Sequence, residues 1–284
     1  MNIEPLVDPT WVAAHLSDPS LRVFDCSILL TPTPDDPLHI ESGRAAWDRG
    51  HVPGSDFLDV QYELSETPSP RFTMPSAQQF AEAMSRHGVA DGTHVVLYTT
   101  GHPMWATRVW WLLRAFGFDE AAVMDGGFQK WVREGREVST APCRYGPAQF
   151  APRPRRGVMA DKAEVRAALG DPAIRLVNAL SRKQHSGEGV HYGRPGRIPG
   201  SACVPAFGLV ERGTSTFMAR GALRAVFATA QIESGQRVIT YCGGGIAATC
   251  DAFVLRLLGH HDVAVYDGSL AEWSSDPSLP IEAG

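Results

Sequence analysis

The chain has 284 residues, 44% hydrophobic and 20% charged, with 26 basic against 31 acidic side chains and a net charge of −5. That is the composition of a soluble globular protein, and it excludes capture of nucleic acid or an anionic membrane through bulk charge. The length suits one large domain or two ordinary ones.

At the N-terminus, MNIEPLVDPTWVAAHLSDPS has no basic stretch leading into an apolar core, so no secretory signal is expected. No apolar run approaches the roughly 20 residues of a membrane-spanning helix. Two blocks then appear in chain order and later appear again. GHVPGSDFLDV (50–60) is echoed by GRIPGSACVPA (196–206), and residues 94–131 are echoed by 237–273. Two similar domains are therefore expected, 1–140 and 158–284. The stretch between them, 141–157, carries four prolines and no periodic pattern, and reads as an extended linker packed across the two domains.

In the first half, Trp110, Trp111, Leu112, Leu113 and Phe116 predict a buried helix beneath a sheet. In the second half the spacing predicts a strand over 174–180, a helix over 219–231 and a strand over 237–241. A helix over 248–259 follows, with Ala252, Phe253, Leu255 and Leu258 on one face, then a strand over 262–268. Short apolar strands alternating with helices predict an α/β fold, each domain a mostly parallel central sheet with helices on both faces. Such sheets place their sites at the carboxyl ends of the strands, and Cys242 falls at such an end.

After Cys242 come Gly243, Gly244, Gly245, Ile246, Ala247 and Ala248. Glycines let the chain curl so that successive N–H groups point inward, and the following helix adds its free amides and the positive end of its dipole. A thiol held there is expected to ionise readily and to act as a nucleophile. The alternative is a small buried cysteine before a turn. The equivalent first-half loop, YTTGHPMWATR, has Thr99 at the cysteine position and a single glycine. One copy therefore keeps the scaffold without the nucleophile.

With GHVPGSDF, RVWWLLRAFG, MDGGFQKW, GRIPGS, YCGGGIAAT and YDGSLAEW in this order, the sequence resembles the tandem rhodanese-domain sulfurtransferases, over nearly its whole length. That family comprises thiosulfate and 3-mercaptopyruvate sulfurtransferases. The resemblance implies a silent first domain and a second domain whose Cys242 takes the sulfane sulfur of a small-molecule donor. The resulting persulfide passes its sulfur to a thiophilic acceptor such as cyanide, a thiol or a protein cysteine, without a cofactor or metal. The neutral loop C-G-G-G-I-A-A leans toward 3-mercaptopyruvate over thiosulfate, although Gly244 lacks the hydroxyl frequent there in that branch.

For the donor's carboxylate, the resemblance points to the segment 178–201. Gln184 falls where the first family arginine is expected, Arg182 stands as its substitute, Arg194 is the candidate for the second, and Arg197 replaces the motif's usual histidine. His51, in GHVPG of the silent half, resembles a proposed proton relay. A structural role is the alternative for each of these residues. His102 and Trp105 are candidates for lining a cleft or for the core. A phosphatase reading needs an arginine six positions after the cysteine, where Ala248 stands. His260 and His261 have no ligand spacing with any cysteine, and no nucleotide-binding glycine motif occurs. The five cysteines, Cys26, Cys143, Cys203, Cys242 and Cys250, are scattered without C-x-x-C spacing, which suits free thiols in the cytoplasm. Two other roles stay open, a protein-to-protein sulfur relay and a non-catalytic binding module.

Overall fold

The computed structural model describes every residue except 1–2, 37–38, 67–71, 190–191 and 234. The chain forms two compact units, Met1–Arg155 with Arg212–Phe217 and Arg156–Glu211 with Met218–Gly284.

The first unit begins with β1 (Leu6–Val7), α1 (Pro9–His15), β2 (Leu21–Asp25), β3 (Ile28–Leu30), β4 (Ile40–Ser42) and α2 (Arg44–Arg49). It continues with β5 (Asp56–Phe57), α3 (Ala77–Arg86), β6 (His94–Tyr98), α4 (Met104–Ala115), β7 (Ala121–Met124) and α5 (Gly127–Arg133). β3 and β4 pair antiparallel, while the other strands form a parallel sheet in the order β1-β7-β6-β2-β5. The second unit opens with β8 (Met159–Ala160), α6 (Lys162–Ala167), β9 (Ile174–Asn178), α7 (Arg182–Ser186) and β10 (Ala202–Cys203). A short 3₁₀ turn at Ala206–Gly208 is followed by α8 (Arg220–Ala228), β11 (Arg237–Tyr241), α9 (Ala247–Leu257), β12 (Val263–Tyr266) and α10 (Ser269–Ser275). Its sheet is parallel with the order β10-β9-β11-β12-β8. Taken from opposite edges the two orders coincide, strand for strand, so the repeat in the sequence is a repeat of topology.

Local chemistry sets the boundaries. Asp8 accepts from the Trp11 amide and Pro9 opens α1, Ser76 caps α3, and Asp161 caps α6. Ser181 and Gln184 form a reciprocal capping box on α7. Every residue of β6, β7 and β12 is buried, as strands covered on both faces require. In α4, Met104 through Leu113 are all buried, which is why that helix reads as apolar all round.

The repeated motifs serve the same purpose in each unit. The Tyr98 hydroxyl at the end of β6 meets Ser55 Oγ at 2.8 Å and the Val52 amide at 3.3 Å. Tyr241, at the end of β11, meets Ser201 Oγ at 2.6 Å and the Ile198 amide at 3.1 Å. The P-G-S turn in each copy thus satisfies the buried polar tip of a strand-end tyrosine.

The proline-rich segment lies along the first unit. The Tyr145 hydroxyl accepts from the Val23 amide and donates to Gly54 O, Ala148 N donates to Ser85 O, and Arg155 N donates to Ala115 O. Residues 212–217, from the second half of the sequence, also cluster with the first unit, where Phe217 N donates to Asp125 Oδ1 at 2.8 Å.

Candidate active site

β11 lies between β9 and β12, so its carboxyl end opens at an interior position of the sheet. Cys242 follows directly, only 3% exposed, and the chain enters α9 at Ala247. The three intervening glycines have different reasons to be there. Gly245 has φ +75°, and a Cβ on it would stand 2.7 Å from both Asp267 O and Asp267 Oδ1. A Cβ on Gly243 would stand 2.1–2.3 Å from three ring carbons of Tyr192, whereas one on Gly244 meets nothing within 4 Å. Gly245 is required by its backbone, a side chain at Gly243 would have to displace the Tyr192 ring, and Gly244 is open to a side chain.

The loop is held by a residue that sequence reasoning missed. Ser269 Oγ accepts from the amides of Cys242 at 3.0 Å and Gly245 at 3.1 Å, while its own proton goes to Tyr266 O at 2.8 Å. Leu270 N and Ala271 N, in the first turn of α10, donate to Cys242 O and Gly243 O. The expected amide cradle is therefore divided. Cys242 and Gly245 spend their N–H groups on Ser269, while those of Gly243, Gly244, Ile246, Ala247 and Ala248 have no acceptor among the described residues. Unpaired donors at the start of an eleven-residue helix suit a negative charge on the neighbouring sulfur.

Ser269 is fully buried and holds φ +49°, a left-handed conformation uncommon outside glycine. Its counterpart in the first unit is Gly127 at φ +53°, where a Cβ would lie 2.3 Å from Thr99 O. The serine of YDGS, standing where MDGG has its second glycine, was the available signal.

The other cysteines are packed thiols. Burial pushes those of Cys26 and Cys250 well up, and those of Cys143 and Cys203 up, so each resists ionisation. All five are free of disulfides. Next to Cys250, Asp251 is fully buried, and neither carboxylate oxygen has a hydrogen-bond partner among the described residues. Burial raises its carboxyl well above the usual range.

The expected substrate arginines occupy three different settings. Arg194 donates from Nε to Ser274 O at 3.0 Å, and from Nη2 to Asp276 O at 2.7 Å and Leu279 O at 2.9 Å. Arg197 pairs with Glu282 and donates to the carbonyls of His185 and Gly284. Arg182, at the exposed start of α7, has no hydrogen-bonding or ion-pair partner among the described residues. His51 is buried and stacked on Trp47 at 4.1 Å, with Nδ1 2.8 Å from Trp47 O and Nε2 3.0 Å from Ala141 O. His51 and Arg197 hold the same motif position, and each bridges antiparallel to its own unit's tail, at Ser139 and Glu282. Their partners are main-chain oxygens and a terminal glutamate, which leave no mark in the motif.

His185 is a second residue the sequence did not announce. Its ring is pushed down to about 4, by burial first and then by the Arg197 and Arg182 charges, against the pull of Glu282. Its Nδ1 accepts from Asn178 Nδ2 at 3.1 Å. Burial is the main reason this imidazole, beside the carboxyl end of β9, is kept neutral.

The first unit's counterpart loop is closed on itself. Thr99 Oγ1 donates to Gly101 O at 3.0 Å, with His102 O at 3.3 Å, and Thr100 N donates to Ser27 Oγ at 2.8 Å. His102 Nδ1 accepts from Met104 N at 3.2 Å, and Trp105 is core, 4% exposed against Phe72. Among the described residues no group of three or more histidine, cysteine or acidic side chains is placed to hold a metal, and no helix is long and apolar enough to cross a membrane.

Comparison with known proteins agrees with this geometry. Residues 8–134 and 161–276 each match the Rhodanese-like domain. The thiosulfate sulfurtransferase of Rattus norvegicus is 33% identical over 280 residues, covering 94% of this chain and 91% of that protein. The sulfur carrier protein TtuD of Thermus thermophilus is 30% identical over 294 residues, covering 99% and 97%. Among solved structures, the 3-mercaptopyruvate sulfotransferase SseA of Escherichia coli superposes with a TM-score of 0.84 at 26% identity, covering 94% of this chain and 99% of that one. With both repeats matched and the relatives aligned nearly end to end, this chain belongs to the rhodanese family, as a tandem-domain sulfurtransferase.

Proposed function

We propose that this chain moves a sulfane sulfur atom from 3-mercaptopyruvate, in preference to thiosulfate, to a thiophilic acceptor through a persulfide on Cys242. The observation that carries the reading is the loop, where a buried cysteine at a strand end is followed by five main-chain N–H groups without acceptors among the described residues. The Cys242 thiolate attacks the donor sulfur and an S–S bond forms. The donor's C–S bond breaks, and its electron pair leaves on the enolate of pyruvate. The proton of the donor thiol ends on the enolate carbon, giving pyruvate and a Cys242 persulfide anion. With thiosulfate the sulfane S–S bond breaks instead, and sulfite leaves with the pair. Cyanide or a thiol then takes the outer sulfur and returns the Cys242 thiolate, which is two-step covalent catalysis. The unpaired amides stabilise the charge on the outer sulfur.

Arg182 is our choice for the donor's carboxylate, because among the described residues it is the candidate arginine whose guanidinium has no hydrogen-bonding or ion-pair partner. The absence of any basic side chain from Gly243 to Ala248 supports the monoanionic donor over the dianionic one. The first domain acts as the silent scaffold, and the scattered free thiols support a cytoplasmic setting.

Intact-protein mass spectrometry after brief exposure to 3-mercaptopyruvate, and separately to thiosulfate, tests this reading. The expected result is a gain of one sulfur atom that cyanide removes and Cys242→Ser abolishes, larger with 3-mercaptopyruvate. No gain with either donor overturns it. The similarity to a sulfur carrier protein favours a second reading, protein-to-protein relay, which predicts loading from a partner persulfide rather than from a small donor.

A further inference from the structure

We propose that Tyr192 is a size filter over Cys242, held in place by Arg194 and Ser274. This rests on the reading that Cys242 is the nucleophile of a sulfurtransferase. The ring lies where a side chain on the next residue would begin, since a Cβ on Gly243 would stand 2.1–2.3 Å from its Cε1, Cε2 and Cζ atoms. Gly243 is buried under it, while Tyr192 itself is half-buried and borders solvent.

The segment carrying the ring is tied to the same helix that holds the loop. Ser274 Oγ donates to Tyr192 O at 2.6 Å, and a Cβ on Gly193 would sit 2.2 Å from that same Oγ. The Arg194 guanidinium gathers the carbonyls of Ser274, Asp276 and Leu279 at the end of α10. At the other end of α10, Ser269 binds the amides of Cys242 and Gly245. One short helix thus fixes both the sulfur's loop and the aromatic wall beside it. Arg194, on this account, is a positioning residue for Tyr192.

The chemical consequence is selection by bulk. Cys242 is only 3% exposed and the ring is packed on the next residue, so on this proposal a bulky thiol or a protein cysteine needs the ring displaced more than cyanide or a small thiol does. A flat neutral ring supplies no charge to hold a dianion.

The test compares two thiol reagents on the full-length protein, iodoacetamide as the small probe and 5,5′-dithiobis(2-nitrobenzoate) as the bulky one, with Cys242→Ser as the background for the other thiols. Tyr192→Ala is expected to raise the bulky-reagent rate at Cys242 by about tenfold or more, the reciprocal of an open population of about a tenth or less, and to change the iodoacetamide rate little. Tyr192→Phe should match the parent, and Arg194→Gln should reproduce the Tyr192→Ala ratio by loosening the strap. Equal acceleration of both reagents, or none, overturns the proposal. Neither rate requires sulfur transfer, so a Cys242 that never forms a persulfide sinks the catalytic reading while the filter is still measured.

Discussion

The loops after β6 and β11 start from the same scaffold and end in opposite states. Both follow a buried tyrosine at a strand end, both precede a buried helix, and both carbonyls at the critical position accept an amide from the helix that follows the next strand, Phe128 N on Thr99 O and Leu270 N on Cys242 O. In the first loop a threonine hydroxyl turns back on the chain, and the loop closes with side chains. In the second, glycines replace those side chains, and donors are left over. Two loops on one scaffold thus differ in what the second omits as well as in the cysteine it gains. In the first loop the amide that follows the critical position, Thr100 N, is already committed to Ser27 Oγ, whereas Gly243 N in the second has no acceptor among the described residues.

The strongest way to break the comparison is at Ser269. Removing its hydroxyl leaves the buried amides of Cys242 and Gly245 without their acceptor and frees the loop to move. Ser269→Ala is expected to lower kcat/KM by about 10- to 100-fold, the range for losing one positioning contact. Ser269→Gly imitates Gly127, relieving the left-handed backbone but not restoring the acceptor, so it should be more stable than Ser269→Ala and equally slow. If Ser269→Gly is fully active, the hydroxyl is not what holds the loop.

The second contrast is at the end of the helix before the central strand. His87 in the first unit aligns with Ala230 in the second. Burial alone would push the His87 ring down, but Asp56 at 2.9 Å and Glu63 at 3.2 Å outweigh it and hold it up to about 9. The folded value lies above the ordinary histidine value near 6.5, so the contribution is complete below about pH 6.5 and is lost as pH rises through about 9. His87→Gln should cost about 2–3 kcal/mol at pH 6 and little at pH 10. Chemical unfolding at the two pH values checks the difference, and a pH-independent loss would assign His87 a packing role only.

How far the sequence revealed this molecule depends on the reach of each interaction. The parallel α/β plan and the Cys242 loop were legible because they arise from apolar runs and glycine spacing, which are local. Ser269 acts across 27 positions of chain and showed only as one of several departures between two similar motifs. Arg194 and Arg197 bond mainly to backbone carbonyls, which are present at every residue, and Tyr192 is held through its own carbonyl by Ser274, so no pattern marks what they do. For the arginines, similarity of position pointed to substrate, whereas Arg194 and Arg197 are occupied within the protein.

A smaller effect is expected at Asp251, which aligns with Val109 in α4. Both of its oxygens are buried without partners, and burial keeps the carboxyl protonated far above the usual range. The unfolded chain releases that proton near pH 4 and the folded chain does not, so stability falls as pH rises from there. Asp251→Val should stabilise the protein by about 1–2 kcal/mol at neutral pH, by removing an unsatisfied buried group. The gain should shrink toward pH 4, and a gain that does not vary with pH would mean that Asp251 is not held neutral.

The smallest contrast is one backbone angle. Gly88 has φ +69° and its counterpart Gln231 has φ +50°, each just beyond a helix that precedes the central strand. A left-handed glutamine is strained, and glycine adopts that conformation freely, although glycine also enlarges the unfolded ensemble. Gln231 is exposed, so its side chain gives up little on removal. Gln231→Gly should therefore gain about 0.5–1 kcal/mol, read as a higher urea midpoint at unchanged slope. The reverse change is not symmetrical, because a Cβ on Gly88 would meet Gly146 O at 2.6 Å and Tyr145 Cβ at 2.8 Å. Gly88→Ala must both strain φ and displace the proline-rich segment, so it should cost several times what Gln231→Gly gains. Equal and opposite effects would show that the backbone angle alone matters, and that the segment from Tyr145 to Gly146 yields without resistance.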